Sequence, residues 1–81
     1  MATSMDSARR IAEGFLDEEV RGRFNFPIVI VESAVREVGD FWVFPYNGKA
    51  YVELGDWQQA MAGNVPVVVN KITGDVGFRS N

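Results

Sequence analysis

Carboxylates are the most numerous groups in this 81-residue chain that could do chemistry, with 11 Asp and Glu residues. Three of them are consecutive, at positions 17–19. Others lie in strand-like segments where two could meet across a ladder, namely Glu32, Glu37 and Glu53. Two carboxylates at a fixed separation in a concave site are the apparatus of glycosidases. A chain this short has little room for such a cleft beside its core, so we interpret these acids as solvated side chains.

Glycines near the end of the chain suggest a phosphate-binding loop. Gly74 and Gly77 lie in the stretch AGNVPVVVNKITGDVGF, residues 62–78. A phosphate cradle needs a glycine-rich turn that opens onto a helix N-terminus, so that several backbone N–H groups converge. Here the turn runs into a second apolar stretch instead. We therefore predict a β-hairpin that reverses at Thr73 and Gly74.

The absence of cysteine and histidine narrows the chemistry further. Without cysteine the chain can form no disulfide, no thiolate nucleophile and no thiolate ligand for zinc. Without histidine it lacks the commonest general base near neutral pH. The acids also lack the spacing of a calcium-binding loop. We predict that the protein is not an enzyme, binds no metal and needs no cofactor, and we interpret Ser33 and Lys71 as structural residues.

Aromatic residues are the remaining candidates for a functional site. Trp42 and Phe44 are expected in the core, because they fall on one face of a strand-like segment. Trp57 follows an acid in a short connecting segment, where it could either close one end of the core or stay exposed. Exposed aromatics flanked by acids are typical of a protein-binding patch, since Trp and Tyr dominate such interfaces. The predicted partner-binding residues are Tyr46, Tyr51, Glu53, Asp56 and Trp57.

Charge and hydropathy limit the partners. A net charge of −3 argues against nucleic acid, which requires a basic surface. The longest apolar run, residues 27–31, falls far short of the roughly 20 residues of a membrane helix. Residues 1–16 also lack the apolar segment of a signal peptide. We therefore expect one soluble, cytoplasmic domain over residues 1–81 that binds neither membranes nor nucleic acid.

The first element that must support these residues is a helix over residues 5–20. Apolar residues recur there at helical spacing and form one face. Thr3 or Ser4 can cap the start of the helix. Gly14 weakens the helix but should let it lie close against a sheet. The predicted apolar face consists of Ala8, Ile11, Ala12, Phe15 and Leu16.

The first half of the predicted sheet follows this helix. The β-branched stretch at 28–38 predicts a strand, with a bulge near Glu32 where its alternation changes phase. Gly39 and Asp40 form a tight reversal. The next strand, FWVFPYN at 41–47, should be irregular or at an edge near Pro45, because proline cannot donate to a ladder.

The second half begins with Asn47-Gly48, the strongest hairpin signal in the chain. It predicts a turn into a further strand, KAYVEL, at residues 49–54. Asp56 should cap a short helical turn that Gly63 ends. An unbroken valine run, a polar turn at residues 71–74 and a second apolar stretch then predict a final strand pair.

The final pair comprises residues 65–70 and 75–79. The predicted fold is α+β, because one helical pattern precedes a series of antiparallel strand patterns. An N-terminal amphipathic helix packs on a four- to five-stranded antiparallel meander, with a short helical turn before the last hairpin.

The second half of the chain resembles the YrhB-like family, also called immunity protein 35. Its members carry a Trp-x-Phe-x-Tyr strand, a Tyr/Gly-Asp segment, and Gly-Asn-x-Pro followed by an apolar run and a Thr-Gly turn. The match covers residues 41–76. Two positions depart from the family pattern. Phe41, directly before Trp42, stands where the family usually has Gly. Asn70 stands before the basic residue of the last turn, where the family commonly has an acid. The matching positions are Trp42, Phe44, Tyr46, Tyr51, Gly55, Asp56, Gly63, Asn64, Pro66, Thr73 and Gly74.

Members of this family are encoded beside toxins in bacterial polymorphic-toxin systems and are predicted to neutralise them. The resemblance therefore implies an immunity protein, a non-catalytic inhibitor that binds its cognate toxin stoichiometrically. The alternative is a chaperone-like or general protein-binding module that applies the same aromatic surface to unrelated clients. An exposed sheet edge would also permit a homodimer.

Overall fold

The computed structural model describes residues 2–61 and 64–79 and has the predicted α+β architecture. Its helices are α1 (Met5–Glu19) and α2 (Lys49–Leu54). Its strands are β1 (Ile28–Ile30), β2 (Arg36–Val38), β3 (Phe41–Phe44), β4 (Tyr46–Gly48), β5 (Val67–Asn70) and β6 (Val76–Phe78). Three short 3₁₀ helices complete the architecture, at Arg21–Arg23, Glu32–Ala34 and Trp57–Gln59. None of the helices in the described ranges has the length and hydropathy needed to cross a bilayer.

Helix α1 begins and ends close to the predicted positions. Ser4 is its N-cap, because the hydroxyl accepts a hydrogen bond from the N–H of Ser7 at 3.2 Å. The predicted apolar face meets the sheet, with three of its residues buried and the other two partly buried. The expectation for Gly14 is wrong. A Cβ there would meet open space, because Gly14 lies outside the buried face.

The strands form two antiparallel sheets, one of β1 and β4 and one in the order β2-β3-β5-β6. Gly39 and Asp40 make the predicted reversal between β2 and β3, with Gly39 at φ +56°. A 3₁₀ turn at Glu32–Ala34 replaces the predicted bulge and separates β1 from β2. Pro45 likewise separates β3 from β4. The four-stranded sheet is antiparallel, but β4 and α2 lie in the chain between its neighbouring strands β3 and β5, and β1 and β4 pair in a sheet of their own. The prediction of one continuous meander is therefore wrong, whereas the α+β class is confirmed.

The core lies between α1 and one face of the four-stranded sheet. Leu16 on the helix, Phe44 on β3 and Val67 on β5 are all fully buried there. Trp42 packs against this cluster, and its indole N–H donates to the carbonyl of Thr3 at 3.0 Å. The predicted core positions on β3 are therefore confirmed, and Trp42 also holds the start of α1 on the sheet.

Arg21 joins the end of α1 to β1. Its guanidinium donates to the carbonyl of Ile28 at 2.8 Å and to the carboxylates of Glu13 and Asp17, both at 2.8 Å. Burial lowers the pKa of Arg21, but the hydrogen bonds and negative charges of Glu13 and Asp17 outweigh it, so the pKa is raised overall. These contacts fix the helix end over the first strand.

The segment KAYVEL is a helix, so its assignment to a strand is wrong. Over only six residues, the alternation of apolar and polar residues in a strand cannot be distinguished from the pattern of a short amphipathic helix. Lys, Ala, Glu and Leu favour a helix. The Asn47-Gly48 hairpin is wrong for a related reason. Both residues belong to β4, which pairs with β1, and the chain leaves that strand directly into α2.

Candidate functional site

The segment from Lys49 to Gln59 forms a projecting corner, which we call the α2 corner. The side-chain oxygen of Asn47 accepts hydrogen bonds from the N–H of Gly48 at 2.9 Å and of Met61 at 2.7 Å, one on each side of the corner. A Cβ at Gly48 would clash with the carbonyl oxygen of Gln59. The side chain of Asn47 and the close approach of the Gly48 and Gln59 backbones therefore hold the base of the corner.

Two capping residues shape the corner itself. Helix α2 ends at Gly55, which has φ +72° and whose N–H reaches the carbonyls of Ala50 and Tyr51. Asp56 caps the following 3₁₀ turn, as predicted, because its carboxylate accepts from the N–H of Gln58 at 3.1 Å. Gly63, the predicted end of that turn, lies outside the described residues.

The α2 corner exposes large apolar side chains. Leu54 is 82% exposed and Trp57 is 80% exposed, so Trp57 does not close the core. Glu53 is exposed and Asp56 is half-buried. Together these residues form what we call the α2 patch, which consists of Tyr51, Val52, Glu53, Leu54, Asp56 and Trp57. Four of the five residues predicted to bind a partner lie in this patch.

Tyr46 is separate from the α2 patch, because it is buried on β4 beneath Phe78. The amide of Asn64 donates to the Tyr46 carbonyl at 2.7 Å. Burial raises the pKa of the Tyr46 phenol, and a hydrogen bond with the Asn64 side chain partly offsets this. Tyr46 also lines a neighbouring cavity.

That cavity has a volume of about 550 Å³, within the range of small-molecule sites. It opens between the end of α1, the segment after it and the strand that ends at Phe78. Its walls combine aromatic and polar side chains, with Gln58 bordering it from the α2 corner. The aromatic lining consists of Phe24, Phe26, Tyr46 and Phe78. The cavity is thus contiguous with the corner but distinct from the exposed patch.

Three of the six acids considered for catalysis are engaged in ion pairs. Glu32 pairs with Arg9 at 2.6 Å, and Asp17 pairs with Arg21. Glu37 pairs with Lys71, whose ammonium also lies over the Trp42 ring. The described residues contain no cluster of three or more acids that could hold a metal ion. These acids therefore serve as surface pairing groups in the fold.

Sequence reasoning missed Leu54, which is the most exposed apolar residue of the corner. In a strand, alternation would place Leu54 on the same face as Ala50 and Val52, opposite Tyr51 and Glu53. The signal that could have corrected this is Gly55. A glycine directly after a segment of good helix formers is typical of a helix C-cap, and it would have placed Leu54 at the end of a helix.

Fold and surface together define a small helix-on-sheet domain that presents an exposed aromatic corner. Its sequence matches the family model of immunity protein 35 over residues 6–79. The chain belongs to the immunity protein 35 family, which confirms the resemblance in residues 41–76 and extends it through α1. No curated protein and no solved structure matches the chain significantly.

Proposed function

We propose that this protein is a cytoplasmic immunity protein that binds its cognate bacterial toxin and neutralises it without catalysis. Family membership supports the immunity role. The observation that carries the mode of action is Trp57, which is 80% exposed on a capped turn. An exposed Trp on a well-supported backbone is the kind of residue that dominates protein–protein interfaces.

The α2 patch supports this proposal through its apolar character. Leu54 and Trp57 form its most exposed part, and Tyr51 and Val52 are each 40% exposed. Apolar surface of this kind is costly to leave in water and marks interaction sites. Helix α2 contributes no buried residue to the core. Its side chains are therefore available for a partner, without a conflicting role in folding.

The charge of the α2 patch indicates the chemistry of the toxin surface that would fit it. Glu53 and Asp56 flank the apolar residues of the patch, and the whole chain carries a net charge of −3. The matching toxin surface is then an apolar pocket with a basic rim, because complementary charge speeds association and excludes wrong partners. Occlusion of a toxin active site requires about 800 Å² from each partner. Tyr51, Glu53, Asp56 and Trp57 contact the toxin directly in this proposal, and Tyr46 contacts only a side chain that enters the cavity.

The test is binding to the toxin encoded by the neighbouring gene, carrying an inactivating mutation. Leu54→Ala and Trp57→Ala should each weaken the affinity by about tenfold or more, as loss of an interface anchor does. Ile72→Ala is the matched control, because Ile72 is an apolar residue 67% exposed at the β5–β6 turn. It should leave the affinity unchanged. Equal affinities for all four proteins would exclude the α2 patch as the interface.

A second measurement separates immunity from general protein binding. The wild-type protein should rescue growth of cells that express the active toxin, and Trp57→Ala should rescue them less well. Titration against unrelated unfolded proteins should show no binding. Binding to such clients without protection from the toxin would favour the chaperone-like alternative and overturn the proposal.

A further inference from the structure

Strand β6 forms one lateral edge of the four-stranded sheet. In the described part of the chain it pairs with β5 alone. The register of the pair places Val67 opposite Phe78, Val68 opposite Gly77 and Val69 opposite Val76. No later strand covers the outer side of β6 within the described residues. The edge is therefore available for pairing with another chain.

Two hydrogen bonds fix which backbone groups point outward. Asn70 donates to the Asp75 carbonyl at 2.8 Å, and Arg79 donates to the Pro66 carbonyl at 3.2 Å. Antiparallel pairs alternate between hydrogen-bonded and non-hydrogen-bonded. The residues between these two pairs, Val76 and Phe78 on β6, therefore direct their N–H and C=O groups away from β5. A partner strand could accept hydrogen bonds from the two N–H groups and donate to the two carbonyls.

The opposite edge of the sheet differs in chemistry. All three residues of β2 are exposed, and two of them, Arg36 and Glu37, are charged. Charged residues on an edge strand discourage pairing with other chains. Strand β6 has the sequence Val-Gly-Phe and carries no charge. Of the two edges, β6 is the one without this protection.

The segment around β6 is complementary to an antiparallel copy of itself. An antiparallel pair centred on Gly77 places Val76 of one copy opposite Phe78 of the other. The same register places Asp75 opposite Arg79. Both contacts occur twice because of the two-fold axis. The five-residue segment 75–79 thus matches a second copy of itself in both size and charge.

We propose that β6 pairs with β6 of a second copy of this chain, antiparallel and centred on Gly77, to form a homodimer with a continuous eight-stranded sheet. The outward N–H and C=O groups of Val76 and Phe78 meet their counterparts in this register and form four hydrogen bonds. Val76 and Phe78 lie on the face that α1 covers. Their cross-strand contacts extend the core across the interface.

The charged pair lies on the opposite face of the sheet. Asp75, Gly77 and Arg79 alternate with the core-facing residues, so their side chains point away from α1. Asp75 and the partner's Arg79 form a non-hydrogen-bonded pair, in which Cα atoms are about 4.5 Å apart and side chains are closest. In the single chain the Arg79 guanidinium lies 4.3 Å from the Phe41 ring centroid. Dimerisation therefore requires this exposed side chain to turn toward the edge.

The contact is smaller than a standard protein–protein interface, because five residues of each copy carry it. We therefore expect a weak, transient dimer, with a dissociation constant on the order of micromolar or higher. The β6 edge and the α2 patch share no residue. A dimer would therefore present two α2 patches, and its formation can be measured without the toxin.

The test is sedimentation velocity over a range of concentrations with charge-reversed variants. Asp75→Arg places Arg opposite Arg across the axis, and Arg79→Asp places Asp opposite Asp. Each variant alone should dimerise at least about tenfold more weakly than wild type, because two attractive pairs become repulsive. An equimolar mixture of the two should form a heterodimer, since both pairs are attractive again.

Two controls separate pairing at β6 from a general effect of charge or strand breaking. Asp40→Arg makes the same charge change at the β2–β3 turn and should dimerise like wild type. Val76→Pro removes an outward N–H at β6, which an edge strand tolerates. Glu37→Pro makes the corresponding change at the β2 edge. Only the proline at position 76 should abolish the dimer, with circular dichroism confirming that both variants are folded.

Three results would overturn the proposal. The first is a wild-type protein that stays monomeric up to about 1 mM, where even weak complexes form. The second is a dimer that neither Asp75→Arg nor Arg79→Asp weakens. The third is an equimolar mixture that fails to associate. A monomeric protein in which Val76→Pro weakens toxin binding would instead show that β6 pairs with a strand of the toxin.

Discussion

Helices α1 and α2 belong to the same chain but are held in place in opposite ways. Helix α1 buries Ala8, Ala12 and Leu16 against the sheet, and these side chains form part of the core. Helix α2 buries none of its residues. It is held at its base by the side-chain oxygen of Asn47, which accepts from two backbone N–H groups, and by the close approach of Gly48 to the Gln59 backbone. The side chains of α1 are therefore committed to folding, whereas those of α2 are free to serve a partner.

The largest expected effect comes from a matched pair of leucines. Leu16→Ala removes a fully buried side chain and should lower the free energy of unfolding by about 2–5 kcal/mol. Leu54→Ala removes an exposed one and should change it by no more than about 0.5 kcal/mol. Urea denaturation of both variants measures the difference. Similar losses at the two positions would mean that α2 also contributes to the core.

Gly48→Ala tests whether backbone proximity holds the α2 corner. Its φ of −62° suits alanine, so any cost must come from the contact with Gln59. We expect a loss of about 1–3 kcal/mol in the free energy of unfolding, as for other overpacked sites. Thermal and urea denaturation measure it. A variant as stable as wild type would show that the corner moves aside freely and is not fixed at its base.

Gly14→Ala is the counterpart of Gly48→Ala on α1, and it should stabilise the protein rather than destabilise it. Position 14 lies in the interior of the helix, and a methyl group there meets open space. Alanine should therefore raise the free energy of unfolding by about 0.5–1 kcal/mol through helix propensity alone. Denaturation in urea gives this value. A decrease would contradict the exposed position of Gly14.

The smallest effect concerns the buried Tyr46 at alkaline pH. Burial raises the pKa of its phenol above the unfolded value of 10.0, so the folded state favours the neutral form. This contribution to stability is complete below pH 10 and is lost as the pH rises from there through the folded pKa. Tyr46→Phe should lose less stability than wild type over that interval. Denaturation curves recorded at increasing pH measure the difference between the variant and wild type.

Much of the fold could be predicted because its signals are local. Apolar residues at a period of 3.6 and a cap at Ser4 predict the position of α1. The glycines at positions 39 and 74 predict two chain reversals. Both glycines have positive φ, a conformation that other residues rarely adopt. Such constraints act within a few residues. They are present in the sequence before any long-range contact forms.

The α2 corner could be predicted only in part. Asp56 and Trp57 were recognised as a cap and an aromatic candidate, and the structure places both at the corner. Tyr46 was grouped with them because it is aromatic and near in sequence. It is buried, since β4 pairs with β1 and turns that side chain toward the core. Sequence proximity does not specify which face of a sheet a residue occupies after a break in the strand.

The sequence by itself determined the family, the α+β class, the first helix and the final hairpin. Each of these depends on residue type and short-range periodicity. The tertiary structure decided that KAYVEL is a helix, that Gly48 serves close packing, and that the uncharged strand β6 pairs on one side only within residues 2–61 and 64–79. These features depend on which distant segment lies beside each residue. Pairing between β1 and β4 and the return of the chain at Gln59 set those neighbours, and no local pattern encodes them.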